Sequence, residues 1–280
     1  MLDKNFIGLG VAGNFAGHLE QAGEAADFVN VKTQETVQPK AIFPFYVPSE
    51  KLDELTQFLN EFPLSSETLN FPDKADNLQI EPEIALICDI QYDEKTPQKV
   101  TALLPTYFAA YNDCSIRRPN ARKISEKKNW GKNSKGLSAN WIALDKFSLG
   151  GNIDDYYIAC FHKRDGKLSE YGVNSQAVGY SYFHEKLLHW IVDRMNHQPD
   201  EGPMNDIATL LKQADYPTKA VISIGATRYT EFGETNFLQV GDTSMVVVYN
   251  GKQYNYAQIV KMAENGVFAE DVSALVQKVK

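Results

Sequence analysis

Cysteine is scarce in this chain: three residues, at 88, 114 and 160, widely spaced and odd in number. That pattern excludes a disulfide framework and a Cys-x-x-Cys zinc site. Long apolar runs are also missing. No stretch approaches the roughly 20 residues needed to span a bilayer, and the opening MLDKNFIGLG has no usable signal-peptide core. An excess of basic charge is absent as well. There are 28 Lys and Arg against 36 Asp and Glu, for a formal charge of -8. A nucleic-acid binder would instead concentrate basic residues on one face. Neither internal repeats nor low-complexity tracts occur. The expectation is a cytoplasmic, mildly acidic protein with no nucleic-acid or membrane partner. What is present is ordinary: 280 residues, 43% hydrophobic and 23% charged, enough for one large domain or two modest ones.

Polar punctuation at 61–79 (Glu61-Phe62-Pro63, Ser65-Ser66, Pro72-Asp73) marks the best boundary, dividing a segment of residues 1–70 from a body of residues 71–280. In the first part, Asn14 to Ala26 reads as a short helix and Ser49 to Leu59 as a second, with Ser49 as N-cap. The body is strand-rich. Ile80, Pro82, Ile84, Leu86, Cys88 and Ile90 alternate on one parity. Tyr156 to Val173 reads as two strands joined at Arg164-Asp165-Gly166. Val221–Ile224 and Met245–Tyr249 are further strands. Ser181 to Asn196 is an amphipathic helix carrying Phe183, Leu187, Leu188, Ile191 and Met195. A helical pair broken at Gly266 is expected to close the chain. The class is therefore strand-rich α+β.

Gly8-Leu9-Gly10-Val11-Ala12-Gly13 is a literal GxGxxG, with Asp27 about 20 residues on. The strand before it is short, and Pro39, Pro44 and Pro48 break the segment after it. A glycine-rich turn into a short helix is the preferred reading, with an NAD(P)- or FAD-dependent oxidoreductase as a distant alternative.

Glu81-Pro82-Glu83 carries more chemistry. Residues i and i+2 of a strand share a face about 6.5 to 7 Å apart, so the two carboxylates can converge on one hard cation. A lone ExE is more often a solvated sheet face. Asp113 shifts the balance, because it ends the apolar run Phe108-Ala109-Ala110 where a solvent-facing acid has no obvious reason to be. A third carboxylate completes a facial oxygen site with positions left for water and a chelating substrate.

These motifs resemble those of the fumarylacetoacetate hydrolase superfamily. Glu81-Pro82-Glu83-Ile84-Ala85-Leu86 is similar to its ELEL-type strand, and Asn112-Asp113-Cys114-Ser115-Ile116-Arg117-Arg118 to its NDxSARD segment. Gly131-Lys132-Asn133 leading to Asn140-Trp141-Ile142 resembles GKSF…PW. Gly225-Ala226-Thr227 and Leu238-Gln239-Val240-Gly241-Asp242 resemble the GT and L-x-x-GD elements. All lie in the family's order between residues 80 and 250. Gly13-Asn14-Phe15-Ala16-Gly17-His18, with Phe43-Pro44-Phe45 after it, resembles the opening of smaller members.

The resemblance implies a mixed β-sheet roll or sandwich with residues 1–70 as a cap carrying His18, and a C-terminal helical tail. It implies Mg²⁺ or Mn²⁺ on Glu81, Glu83 and Asp113, and a homodimer. The implied substrates are small anions, 2-oxo acids or β-diketo acids, chelated by the metal while a carbon–carbon bond is hydrolysed. Hydratase, isomerase or decarboxylase action on the same site is the alternative, and an inert metal-binding scaffold is another. Lys132 would serve a developing oxyanion. Arg117 would clamp a substrate carboxylate or buttress Glu83, and Thr227 would bond the carboxylate. His18 would activate water through a His–Glu dyad, but the expected glutamate is Gln21. That leaves Glu20 or Glu24 as substitutes. Arg118 stands where the motif has aspartate. His162, His184, His189 and His197 read as structural or exposed. A basic cluster (Arg117, Arg118, Arg122, Lys123, Lys127, Lys128, Lys132 and Lys135, against Glu126) is expected to mark the mouth of the site.

Overall fold

The alternation at 80–90 becomes the strand Pro82–Tyr92, which pairs antiparallel with the 13-residue strand Val100–Asn112. In the computed structural model, which describes residues 4–28, 31, 33–73, 75, 77–96, 98–117 and 121–280, this pair is the centre of an eight-stranded mixed sheet. Ile80, Ile84, Leu86, Cys88 and Ile90 all face the main core, and Ala85 and Ile87 face a second cluster on the other side. The predicted parity holds, and both faces are buried.

On one flank of the central pair, Lys219–Ser223 runs antiparallel to Pro82–Tyr92, then Ile7–Ala12 lies parallel to it, and Ala41–Tyr46 forms the edge. A second, five-stranded sheet joins Tyr156–Arg164, Lys167–Gln176, Thr243–Asn250 and Ser273–Val279 with Thr68–Leu69. Its inner residues Ile158, Cys160, Val246, Val248 and Leu275 share the main core with Leu86 and Phe108. The hairpin at 164–167 turns through Asp165 at φ 51° and Gly166 at φ 79°, as a type I′ turn requires. The fold is thus strand-rich α+β with mixed sheets. No helix among the described residues is long and apolar enough to cross a membrane.

Several local expectations change. Residues 7–12 and 41–46 are strands of the large sheet, paired alongside strands from beyond residue 70. Gly8 to Ala12 of the GxGxxG run lie in the buried strand Ile7–Ala12, and the expected turn is confined to its end, where Gly13 adopts φ 74°. A Cβ at Gly8 would lie 2.3 Å from the Phe45 ring, and one at Gly10 2.3 Å from the Phe43 ring. Glycine is used there because the neighbouring strand's aromatics press onto the backbone. No α-helix forms at 49–59; only Gln57–Asn60 makes a 3₁₀ turn. Asp53 Oδ1 accepts from the N–H groups of Leu55 and Thr56, a local turn that competes with a helix. Ser49 instead donates to the Gln213 carbonyl. The helix Tyr256–Asn265 ends at Gly266, φ 69°, but the next element is the strand Ser273–Val279. In that strand Ser273, Leu275, Gln277 and Val279 point inward with period two, so the expected helical pair is one helix and one strand. The amphipathic segment at 181–196 is the helix His184–His197.

Candidate metal centre

Pairing of the two central strands carries the acids together. Pro82 opens one strand opposite Asn112, the last residue of the other. Asn112 Oδ1 accepts from Glu81 N–H at 3.1 Å, and its Nδ2 donates to Ser244 and Gln277 of the second sheet. Asp113 N–H donates to the Glu81 carbonyl at 3.0 Å. Asn112 therefore locks the strand ends at the site, while Asp113 supplies the carboxylate.

Glu81, Glu83 and Asp113 are buried, and each offers an oxygen within 4.8 Å of the others. Glu83 Oε2 accepts from Gly225 N–H at 2.8 Å. Gly225 adopts φ 116°, a region L side chains rarely adopt, which glycine permits. Three carboxylates in this arrangement suit a hard cation. Glu81 Oε1 and both oxygens of Asp113 have no aligned hydrogen-bond donor among the described residues.

Cations surround the acids. Arg117 Nη1 lies 2.7 Å from Glu81 Oε1 and 2.8 Å from Glu24 Oε1. Lys128 Nζ lies 2.7 Å from Glu81 Oε2 and 2.6 Å from Asp113 Oδ2. Lys135 Nζ is 3.2 Å from Asp113 Oδ1 and also bonds the carbonyls of residues 113 and 114. Burial opposes ionisation of Glu81, but Lys128 and Arg117 overcome it and hold the carboxyl well below the usual range. Glu83 is pushed well above that range by burial, reinforced by Asp113 and Glu81. Burial also raises Asp113, against the opposing pull of Lys128 and Lys135.

His18 sits on the one-turn helix His18–Gln21 and is 4% exposed. Asn14 positions the preceding loop, donating to the carbonyls of Tyr182 and Ile224 and accepting from Tyr182 N–H. His18 Nδ1 lies 2.9 Å from the Thr227 carbonyl. A carbonyl only accepts, so Nδ1 carries the proton and Nε2 keeps the lone pair. Burial lowers the imidazole pKa below its ordinary value of 6.5, favouring the neutral ring. Thr227 Oγ1 is buried with no hydrogen-bond partner among the described residues. His18, Glu24, Glu81, Glu83, Asp113, Lys128 and Ala226 line one cavity of about 10 Å³, room for roughly one water.

Several assigned positions move. Glu20 is exposed, whereas Glu24 is buried and lines the cavity with His18. Glu24 is held down to about 2: burial resists this, but Arg117, Lys128 and Lys127 together outweigh it. Gln21 faces the Tyr229 backbone, accepting from its N–H at 2.9 Å and donating to its carbonyl at 3.2 Å. Lys132 is not at the centre: its side chain is 79% exposed, 3.9 Å from Glu61. Lys135, three residues on, is the fully buried lysine. Arg117 has no free fork for a substrate, because Nε donates to Gln79 and Nη2 to Tyr229 in addition to the two glutamates. It buttresses Glu81 rather than Glu83. The basic cluster is not an open mouth either. Lys127, Lys128 and Lys135 are buried counter-ions, while Arg122 and Lys132 point outward; Arg118 lies outside the described residues. Sequence reasoning assigns no role of its own to Lys128 or Lys135; the density of lysines after Asp113 is the available signal. Asp242 of the L-x-x-GD element is structural, bonding His162 at 2.8 Å and Arg164 through both oxygens.

Comparison with solved structures agrees with this fold. Cg1458 bound to an inhibitor superposes with a TM-score of 0.57 at 12% identity, covering 98% of this chain and 76% of that one. A protein from Oleispira antarctica provisionally assigned as a fumarylacetoacetate isomerase/hydrolase gives 0.54 at 11% identity, covering 98% and 93%. A 2-keto-3-deoxyarabinonate dehydratase gives 0.50 at 13%, covering 98% and 72%. The chain thus shares its overall fold with these proteins. The chain itself belongs to a family of unknown function, DUF5718, whose model matches residues 24–279. No curated protein matches the sequence.

Proposed function

We propose that this protein is a metal-dependent enzyme that hydrolyses a carbon–carbon bond in a small acyl-2-oxo acid or β-diketo acid, with Mg²⁺ or Mn²⁺ as cofactor. The supporting observation is the convergence of Glu81, Glu83 and Asp113 within 4.8 Å in a buried pocket shared with His18. A bound divalent ion supplies Lewis acidity to two chelating oxygens of such an acid. The neutral His18 ring, oriented through Nδ1 by Thr227, presents Nε2 as a proton acceptor. Thr227 Oγ1 offers a hydroxyl to a substrate oxygen. Lys135 braces Asp113 and the strand end behind it.

A second reading, dehydratase or isomerase action on the same class of acid, is favoured by Gln21. Its amide is engaged with the Tyr229 backbone and cannot take a proton, so Gln21 cannot serve as the carboxylate of a hydrolytic dyad with His18. Calorimetric titration with Mg²⁺ or Mn²⁺ should show binding that Glu83→Ala abolishes; unchanged binding in the variant removes the metal site. Loss of diketo absorbance on acylpyruvates, absent in His18→Ala, separates hydrolysis from the alternative.

A further inference from the structure

Lys128 occupies an unusual place. Its ammonium bridges Glu81 Oε2 and Asp113 Oδ2 at 2.7 and 2.6 Å, two of the three acids that could hold a metal. The side chain is 3% exposed, and the Phe43 ring lies 5.1 Å from its charge. The group is thus enclosed by carboxylates and an aromatic face, the surroundings of a resident cation. The remaining cavity, about 10 Å³, leaves no space for an organic acid beside it.

Charge points the same way. A divalent ion drawing on Glu81 and Asp113 needs the lone pairs now turned to the ammonium. Two cations at one pair of oxygens would repel strongly in so dry a place. Arg117 already neutralises Glu81 from its other side and Lys135 approaches Asp113 from its own. With Lys128 in place, Glu81 and Asp113 are therefore paired without any metal.

The lysine also lines the cavity wall. Lys128 comes directly after the single 3₁₀ turn Ile124–Lys127, and Ile124 packs with Leu19, the neighbour of His18. Both Ile124 and Leu19 line the same cavity. Withdrawal of the lysine would free its own volume beside the carboxylates, under the wall formed by Ile124 and Leu19.

We propose that Lys128 is an internal cation that keeps the three-carboxylate centre shut in the metal-free protein, and that a divalent ion enters by displacing its ammonium. The inference rests on the proposed metal site and adds a control to it. Lys128→Met keeps the stem against Phe43 and removes the charge, with Lys128→Gln as a second variant should the first fail to fold.

Mn²⁺ binding to the full chain is measured by calorimetry, and thermal unfolding is followed in EDTA and in excess Mn²⁺. If the metal-competent fraction of wild type is about one tenth or less, the variant binds roughly tenfold tighter or more. Its melting temperature falls below wild type in EDTA and recovers in Mn²⁺. Binding by the variant alone, with none by wild type, also upholds the displacement. Equal or weaker binding by the variant, with wild type binding, overturns the displacement and leaves the metal site standing. No binding by either protein overturns both.

Discussion

Arg117 offers the sharpest test of how the centre is held. Its guanidinium is 11% exposed and reaches four partners: Gln79 Oε1 at 2.6 Å, Glu24 at 2.8 Å, Glu81 at 2.7 Å and Tyr229 Oη at 2.7 Å. Replacement by leucine removes one partner from two buried carboxylates. Breaking a buried ion pair from one side costs about 3–5 kcal/mol. Lys127 still faces Glu24 and Lys128 still faces Glu81, so the lower end, about 3 kcal/mol, applies. Lysine at 117 restores a charge but not the fork, and half or less of the loss should return. Urea unfolding in EDTA, which removes any contribution from bound metal, reads the change as a shift in midpoint at constant slope. A loss below about 0.5 kcal/mol, the usual scale of an inconsequential surface change, would refute the structural role. Paired with a raised KM, it would return Arg117 to the substrate.

Two further tests reach other parts of the molecule. Gly8→Ala should cost about 1–3 kcal/mol by overpacking, because its Cβ would meet the Phe45 ring at 2.3 Å; Phe45→Leu in the same chain should restore part of it, and simple additivity of the two losses would disprove the contact. His18 has a folded pKa below 6.5, so its contribution to stability is complete above about pH 6.5 and is lost as pH falls through the folded value. That adds a slope of at most about 1.4 kcal/mol per pH unit below 6.5, which His18→Asn should remove; identical pH profiles for the two proteins would show that the ring is not buried neutral.

Legibility in the sequence depends on whether the signal is local. The alternation at 80–90, the hairpin at 164–167 and the amphipathic helix near 184–197 each arise from short-range period or turn chemistry, and each is present. The departures arise where distant neighbours decide. Gly8 and Gly10 read as a turn because glycine usually breaks strands; only Phe43 and Phe45 on the adjacent strand explain them. Residues 273–279 come after a helix and read as another, yet their inward residues repeat every two. At 49–59 the Asp53 turn outcompetes a reasonable helix pattern.

For the centre, the three carboxylates are recoverable because strand pairing and motif order both indicate them. Their cations are harder to assign. Lys127, Lys128, Lys132 and Lys135 look alike in one dimension, and a Gly-Lys pair draws the oxyanion role to Lys132, the most exposed of them. Folding distinguishes them by need: each buried carboxylate requires a partner, and Lys127, Lys128 and Lys135 are the ones whose stems reach inward to Glu24, Glu81 and Asp113. The same need explains why a chain with a net charge of -8 gathers so many cations between residues 117 and 135. They answer the acids of the interior more than they attract anions from outside, so mutations that neutralise exposed Lys132 should leave the centre intact while those at buried Lys135 should not.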